Sequence, residues 1–289
     1  MKGEAFVPGH ITGFFEIHLD DCDPLKCGSR GAGFCVDKGA RTTVRIEEAA
    51  EQAVSIKIDG APAPPASTSR RVIDLMLDNQ PYNVEIETSL ELPVAQGMGI
   101  SGAGALGTAI ATDSALDLKG DKDALVAIAH RAEVESRTGL GDVIAQSRGG
   151  LEIRTAPGAP PHGQVQVQNW EAAVLLVVFD PPLTTKQVLT DPERKAAINH
   201  IGSGMLEVFN ADQTPGRFLK LSREFTMRSG LASKSLMDAM RNVPLEYTAA
   251  MAMLGNTMFV LGDDLHQMAI EFDDIGRCIF TKINNSGAF

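Results

Sequence analysis

Alternating apolar and polar positions mark strands along the first third of the chain. Lys2 to Val7 reads as a short strand ending at Pro8-Gly9, and Ile11 to Leu19 as a second apolar segment. Phe34 to Ile46 and Ala53 to Ile58 predict further strands, with Asp59-Gly60 closing a turn. Ala61 to Ser69, rich in Pro, Ala and Ser, predicts a loop. Ser69 to Leu77 then takes a helical spacing, and Tyr82 to Thr88 returns to a strand. Leu106 to Leu118, rich in Ala and Leu, predicts a helix. Asp121 to Thr138 predicts another, with Leu125, Ile128, Ala129 and Ala132 on its apolar side. A short helix over Val143 to Ser147, capped by Asp142, precedes strands at Leu151 to Thr155 and Gln164 to Val167 around the loop Ala156 to Gly163.

The second half mixes the two periods. Trp170 precedes the apolar run Ala173 to Phe179, the pattern of a buried strand, and a domain boundary near Asn169 divides the chain into 1–168 and 169–289. Asp191 to Phe209, Pro215 to Met227, Ser233 to Met240 and a stretch around Leu265 to Glu271 predict helices; Thr257 to Leu261 and Arg277 to Thr281 predict strands. That order suits an α+β sandwich. No internal repeat or low-complexity tract interrupts it.

Composition narrows the function. With 289 residues and 44% apolar, the chain can bury a sizeable core without covalent staples. A net charge of −11 without a local basic patch argues against a nucleic-acid or anionic-membrane partner. Met1 to Gly9 lacks the apolar core of a signal peptide, and the longest apolar run, Ala172 to Phe179, is too short to span a bilayer, so a cytoplasmic protein is expected. Cys22, Cys27, Cys35 and Cys278 are then expected as reduced thiols; the first three are irregularly spaced for zinc and lack an obvious fourth ligand.

The strongest chemical signal is Pro93 to Ala105, PVAQGMGISGAGA, running straight into the helix after it. Glycines at 97, 99, 102 and 104 open backbone conformations closed to other residues. A loop of this kind aims free N–H groups and the positive end of a helix at one spot, which suits a phosphate. The P-loop pattern fits Gly97 and Gly102 but meets Ala103 and Gly104 where Lys and Ser/Thr are needed. The dinucleotide pattern fits Gly97, Gly99 and Gly102. However, Pro93 interrupts the strand it requires, and Asp121 to Arg137 is helical where its second strand belongs.

A third pattern, P-x-x-x-G-[LM]-G-x-S followed by small residues, is satisfied by Pro93, Gly97, Met98, Gly99 and Ser101. It resembles the phosphate loop of the GHMP family of small-molecule kinases. A second string, Gly139-Leu140-Gly141-Asp142 with Gly149-Gly150 behind it, resembles the family's turn in which an aspartate faces the acceptor hydroxyl. The resemblance implies an α+β fold, an N-terminal ribosomal-protein-S5-domain-2-like domain followed by a ferredoxin-like α/β sandwich. It also implies ATP on Pro93, Gly97, Met98, Gly99, Ile100, Ser101, Gly102, Ala103 and Gly104, and Mg²⁺ on Ser101 and Glu133, with Glu135 the alternative acid. Asp142 would be the catalytic base.

The N-terminal turn Pro8 to Phe15 would face the substrate, with His10 where the family commonly has Lys. Within the family, PGHITGFFEI, DPLKCGSRGAG, GMGISGAGAL, AHRAEVESRTGLGDV and AMLGN together resemble the members that phosphorylate the 4-hydroxyl of (R)-pantoate on the archaeal route to coenzyme A. A carboxylate substrate needs a cation, and His10, Lys26, Arg30 and Arg148 are the candidates, with Thr12 beside them in the turn. The family's glycine-rich third motif is reduced here to Met251 to Thr257 with the single Gly255. A kinase for another small alcohol, such as mevalonate or homoserine, and a non-catalytic nucleotide or metabolite sensor remain alternatives. The chain also leaves a homodimer open.

Overall fold

Two long antiparallel strands carry the N-terminal half: β1 (Lys2–His18) and β2 (Gly28–Glu48). The computed structural model describes residues 1–63, 67–182, 188 and 191–289. β1 unites the two segments that the sequence separates at Pro8-Gly9. Register shifts at Pro8/Gly9 and Thr12/Phe14 absorb the turn; among the named strands β1 pairs with β2, and Thr12 adds an isolated bridge to Met253. β2 begins inside the glycine-rich stretch DPLKCGSRGAG, ahead of the strand expected from Phe34. A Cβ on Gly33 would lie 2.5 Å from His10 Nε2 and 2.9 Å from Glu152 Oε1, so only glycine lets those groups meet across the sheet.

The first sheet continues with β3 (Ala53–Ile58), β4 (Ala61–Pro62), β5 (Tyr82–Leu90), β6 (Leu151–Ala156) and β7 (Gln164–Gln168), in the order β4-β3-β5-β2-β6-β7 with β1 on β2. β4 occupies the start of the stretch expected as a loop over Ala61 to Ser69; residues 64–66 of that stretch lie outside the described residues. Helices α1 (Thr68–Leu77), α2 (Ile100–Leu116) and α3 (Lys122–Ser136) pack together, and α2 lies on β1 and β2. α4 (Asp142–Gln146) is a single turn and a half at the mouth of the first sheet.

The second sheet is antiparallel, β11-β8-β10-β9, built from β8 (Ala173–Val178), β9 (Ala249–Met251), β10 (Thr257–Leu261) and β11 (Arg277–Lys282). Around it run α5 (Pro192–Ala211), α6 (Pro215–Ser229), α7 (Lys234–Asn242) and α8 (Leu265–Phe272). Strands and helices alternate here as the sequence predicts; β9 alone goes beyond it. α5 and α6 pack back on β1, and one hydrophobic cluster joins Phe14 and Phe34 of the first sheet to Phe209, Phe218 and Phe259. Ring centroids within that group lie 5.3 to 6.5 Å apart. Each fully buried Phe contributes about 1.5–3 kcal/mol, so the wall carrying the N-terminal half of the site is anchored by helices from the C-terminal half. Among the described residues no helix is long and apolar enough to cross a membrane.

Candidate active site

The glycine stretch becomes a loop and then the opening of α2, which starts at Ile100, earlier than the sequence suggests. Gly97 and Gly99 hold φ of +77° and +63°, and Gly99 caps α2 with no side-chain hydrogen bond. α1 and α3 instead have their first N–H groups taken by Ser67 and Asp121. The first-turn donors of α2 are left for an anion. Ala103 N–H already bonds Gly99 O at 2.9 Å, so the donor set ends before Ala103, and Gly104 lies deeper in the helix.

These donors open on a pocket with a cavity volume of about 110 Å³. Gly97, Met98, Gly99, Ile100 and Ser101 form one wall; Gly139, Leu140, Gly141 and Asp142 form another; Thr12, Phe15, Ser29 and Arg154 close the floor. Met253 and Leu254, from the reduced third motif, complete it. One glycine suffices in that motif because Gly255 sits where backbone meets backbone: a Cβ there would collide with Gln96 and Gly97. Asn256 N–H donates to Gln96 Oε1 at 3.1 Å, locking the same contact. Pro93 lies outside the pocket, on a separate groove along the loop's other side.

Behind Asp142 lies a row of buried charges that alternate in sign. His10 Nδ1 donates to Asp142 Oδ1 at 2.7 Å and His10 Nε2 to Glu152 Oε1 at 3.0 Å. Glu152 in turn accepts from the Arg154 guanidinium. Arg154 also donates to Ser29 Oγ at 3.1 Å and Thr12 Oγ1 at 3.3 Å. The His10 and Glu152 side chains are 0% exposed and that of Arg154 2%, whereas that of Asp142 keeps 24% toward the pocket. Burial opposes a charge on His10, but its hydrogen bonds to the Asp142 and Glu152 carboxylates, with their charges, outweigh it and raise the imidazole pKa above its ordinary value. With a carboxylate at each ring nitrogen, His10 holds Asp142 from behind and does not line the pocket.

A second cluster lies against the other side of Asp142. Glu133, from the last turns of α3, accepts from Thr138 Oγ1 at 3.0 Å and lies near the Ser101 hydroxyl. Thr68 Oγ1 bridges Ser101 Oγ and Thr138 Oγ1, each at 3.2 Å. Burial, with the nearby Asp142 charge, pushes the Glu133 carboxyl up to about 8. A buried acid so reluctant to ionise beside a hydroxyl suits a divalent cation. Among the described residues no three His, Cys, Asp or Glu side chains are grouped to hold a metal. A cation here would draw its other ligands from phosphate and water, as Mg²⁺ commonly does. Glu135 faces away, between Arg71 Nε at 2.6 Å and Arg131 Nε at 2.8 Å.

The remaining cations named from the sequence stand apart. Lys26 is exposed and outside the pocket lining. Arg30 NH1 reaches Glu16 at 3.4 Å, and Arg148 NH2 donates to Asp123 at 2.7 Å on the outer surface. Among the described residues the cation lining the pocket is Arg154, which sequence reasoning did not single out. Its signal was an opposite-charge pair, Glu152 and Arg154, at alternate positions of a short strand that also carries Leu151 and Ile153.

Residues 67–150 match the sequence profile described as the GHMP kinases N terminal domain, and full-length relatives match over about nine-tenths of the chain; the chain belongs to the GHMP kinases. Those relatives are pantoate kinases. That of Thermococcus kodakarensis is 34% identical, covering 91% of this chain and 89% of its own. That of Methanospirillum hungatei is 33% identical, covering 94% and 91%. A solved structure described as a phosphotransferase related to the CoA biosynthesis pathway superposes with a TM-score of 0.88 at 30% identity, over 100% of this chain and 98% of that one.

Proposed function

We propose that the chain uses ATP and Mg²⁺ to phosphorylate the 4-hydroxyl of (R)-pantoate, giving 4-phosphopantoate for archaeal coenzyme A synthesis. The observation that carries this reading is one pocket offering an uncapped helix start, a carboxylate and a single buried guanidinium, in a chain whose full-length relatives are pantoate kinases. The pocket fits the substrate group by group. Arg154 and Ser29 would take the carboxylate, Phe15, Leu140 and Leu254 the geminal methyl groups, and Asp142 the hydroxyl to be phosphorylated. In this arrangement residues 1–168 supply the nucleotide and catalytic groups, and residues 169–289 close the wall.

In the mechanism, first-turn N–H groups of α2 bind the phosphates. Ser101 and Glu133 would hold Mg²⁺, which would neutralise charge on the β- and γ-phosphate oxygens. Asp142, fixed through Oδ1 by His10, accepts a hydrogen bond from the substrate hydroxyl and takes its proton as the new O–P bond forms and the bond from the γ-phosphorus to the β–γ bridging oxygen breaks, releasing ADP. Phosphoryl transfer needs mainly positioning and charge balance, which these fixed groups supply.

The test is ADP release from ATP and Mg²⁺ with pantoate, pantothenate, mevalonate, homoserine or galactose. Turnover should depend on pantoate; turnover with another alcohol alone, or silence across the panel while ATP still binds, overturns the assignment. Ser101→Ala should raise the Mg²⁺ concentration for half-maximal turnover by roughly tenfold, the scale of losing one metal-site partner. An unchanged Mg²⁺ titration removes Ser101 from the metal site.

A further inference from the structure

Gln146 stands one helical turn after Asp142, and its side chain is fully buried. Its Nε2 donates to Gly99 O at 2.8 Å, which fixes which way the amide faces. The other end, Oε1, is buried with no hydrogen-bond partner. A buried carbonyl oxygen left unpaired costs about 1–3 kcal/mol, so its retention asks for a reason. That oxygen points at the first turn of α2. A Cβ on Gly102 would lie 2.9 Å from Gln146 Oε1, 3.0 Å from Glu133 Oε2 and 3.2 Å from Asp142 Cβ. Oxygens from α4 and α3 thus converge on one small space that only a glycine leaves open.

Such a space, lined by an amide oxygen and a carboxylate and lying beside the Ser101 hydroxyl, has the donors of a hard divalent cation and offers no group suited to a softer metal. Resting on the kinase reading above, we infer that Gln146 Oε1 is a third protein oxygen of the divalent-cation site, beside Ser101 Oγ and Glu133. Gln146 then has two tasks on one side chain: its nitrogen fixes the phosphate loop through Gly99, and its oxygen faces the ion that the phosphates bring.

Mn²⁺ in the presence of ADP is the probe, with free Mn²⁺ read by electron paramagnetic resonance and no turnover required. Gln146→Met keeps the length and volume but removes the oxygen and, with it, the Nε2 donor to Gly99 O. Gly102→Ala keeps the Gln146–Gly99 bond and fills the space. Both should raise the Mn²⁺ Kd by roughly tenfold, a loss severalfold larger than any loss of ADP affinity that the same variant shows in EDTA. If Gln146→Met leaves the Mn²⁺ Kd unchanged while Glu133→Gln raises it, Gln146 is a loop support only and the inference falls. An equal loss of ADP affinity in EDTA overturns it in the same way. Wild-type protein that binds Mn²⁺ and ADP with this pattern, yet releases no ADP with pantoate, leaves the inference standing and fails the substrate assignment alone.

Discussion

Asp142→Asn should lower kcat by at least about a hundredfold, the usual scale for a general acid–base group, while ATP affinity stays nearly constant. Asparagine has the shape of aspartate and its carbonyl oxygen can still accept from His10 Nδ1, now 2.7 Å away, so the α4 turn and the glycine loop keep their places. The capacity to take a proton is lost, together with the carboxylate charge. Steady-state turnover with pantoate, paired with calorimetric ATP binding, separates the two effects. A variant turning over at near the wild-type rate would mean that the hydroxyl loses its proton elsewhere, and the base assignment would go.

Arg154→Met should damage both stability and substrate binding, for different reasons. Glu152 is 0% exposed and Arg154 2%, so the substitution leaves a buried carboxylate short of a partner, which typically costs about 3–5 kcal/mol. For a protein of this size that is a fall in Tm on the order of 10 °C. Removing both charges, as Glu152→Gln with Arg154→Met, should recover much of the Tm because no unpaired charge remains. Substrate binding should not recover. Losing a charged partner for the carboxylate is worth about 2–5 kcal/mol, so the double variant should show a pantoate KM raised by roughly a hundredfold or more. Thermal scans and initial rates on both variants test this. A double variant with a pantoate KM within about threefold of wild type would exclude Arg154 as the carboxylate's partner.

His10 shows why the site was only partly legible. Its position in the Pro8 to Phe15 turn made it a candidate for the substrate carboxylate, yet its partners lie 132 and 142 positions away. No local pattern announces that both would be acids. Arg148 misleads in the opposite sense: it follows Asp142 closely in sequence, but the chain turns through α4 between them and delivers Arg148 to Asp123. Glu133 and Glu135 are two apart on a helix, so they leave it in different directions, and which one meets Ser101 depends on how α3 is rotated against α2.

The sequence by itself determined the elements and the chemistry that needs only neighbours: the alternation that makes β2 and β5, the apolar β8, and the glycines that start α2 without a cap. Those features follow from side-chain period and backbone freedom, both local properties. The tertiary structure alone decided which charges meet. Burial of the row Asp142, His10, Glu152 and Arg154 requires strands β1 and β6 to flank β2 and a glycine at 33 to let them touch, conditions set by packing across the whole chain. The same packing turned Arg154 from an ordinary polar position on a strand into the cation of the pocket, because a charge's role depends on what surrounds it once water is gone.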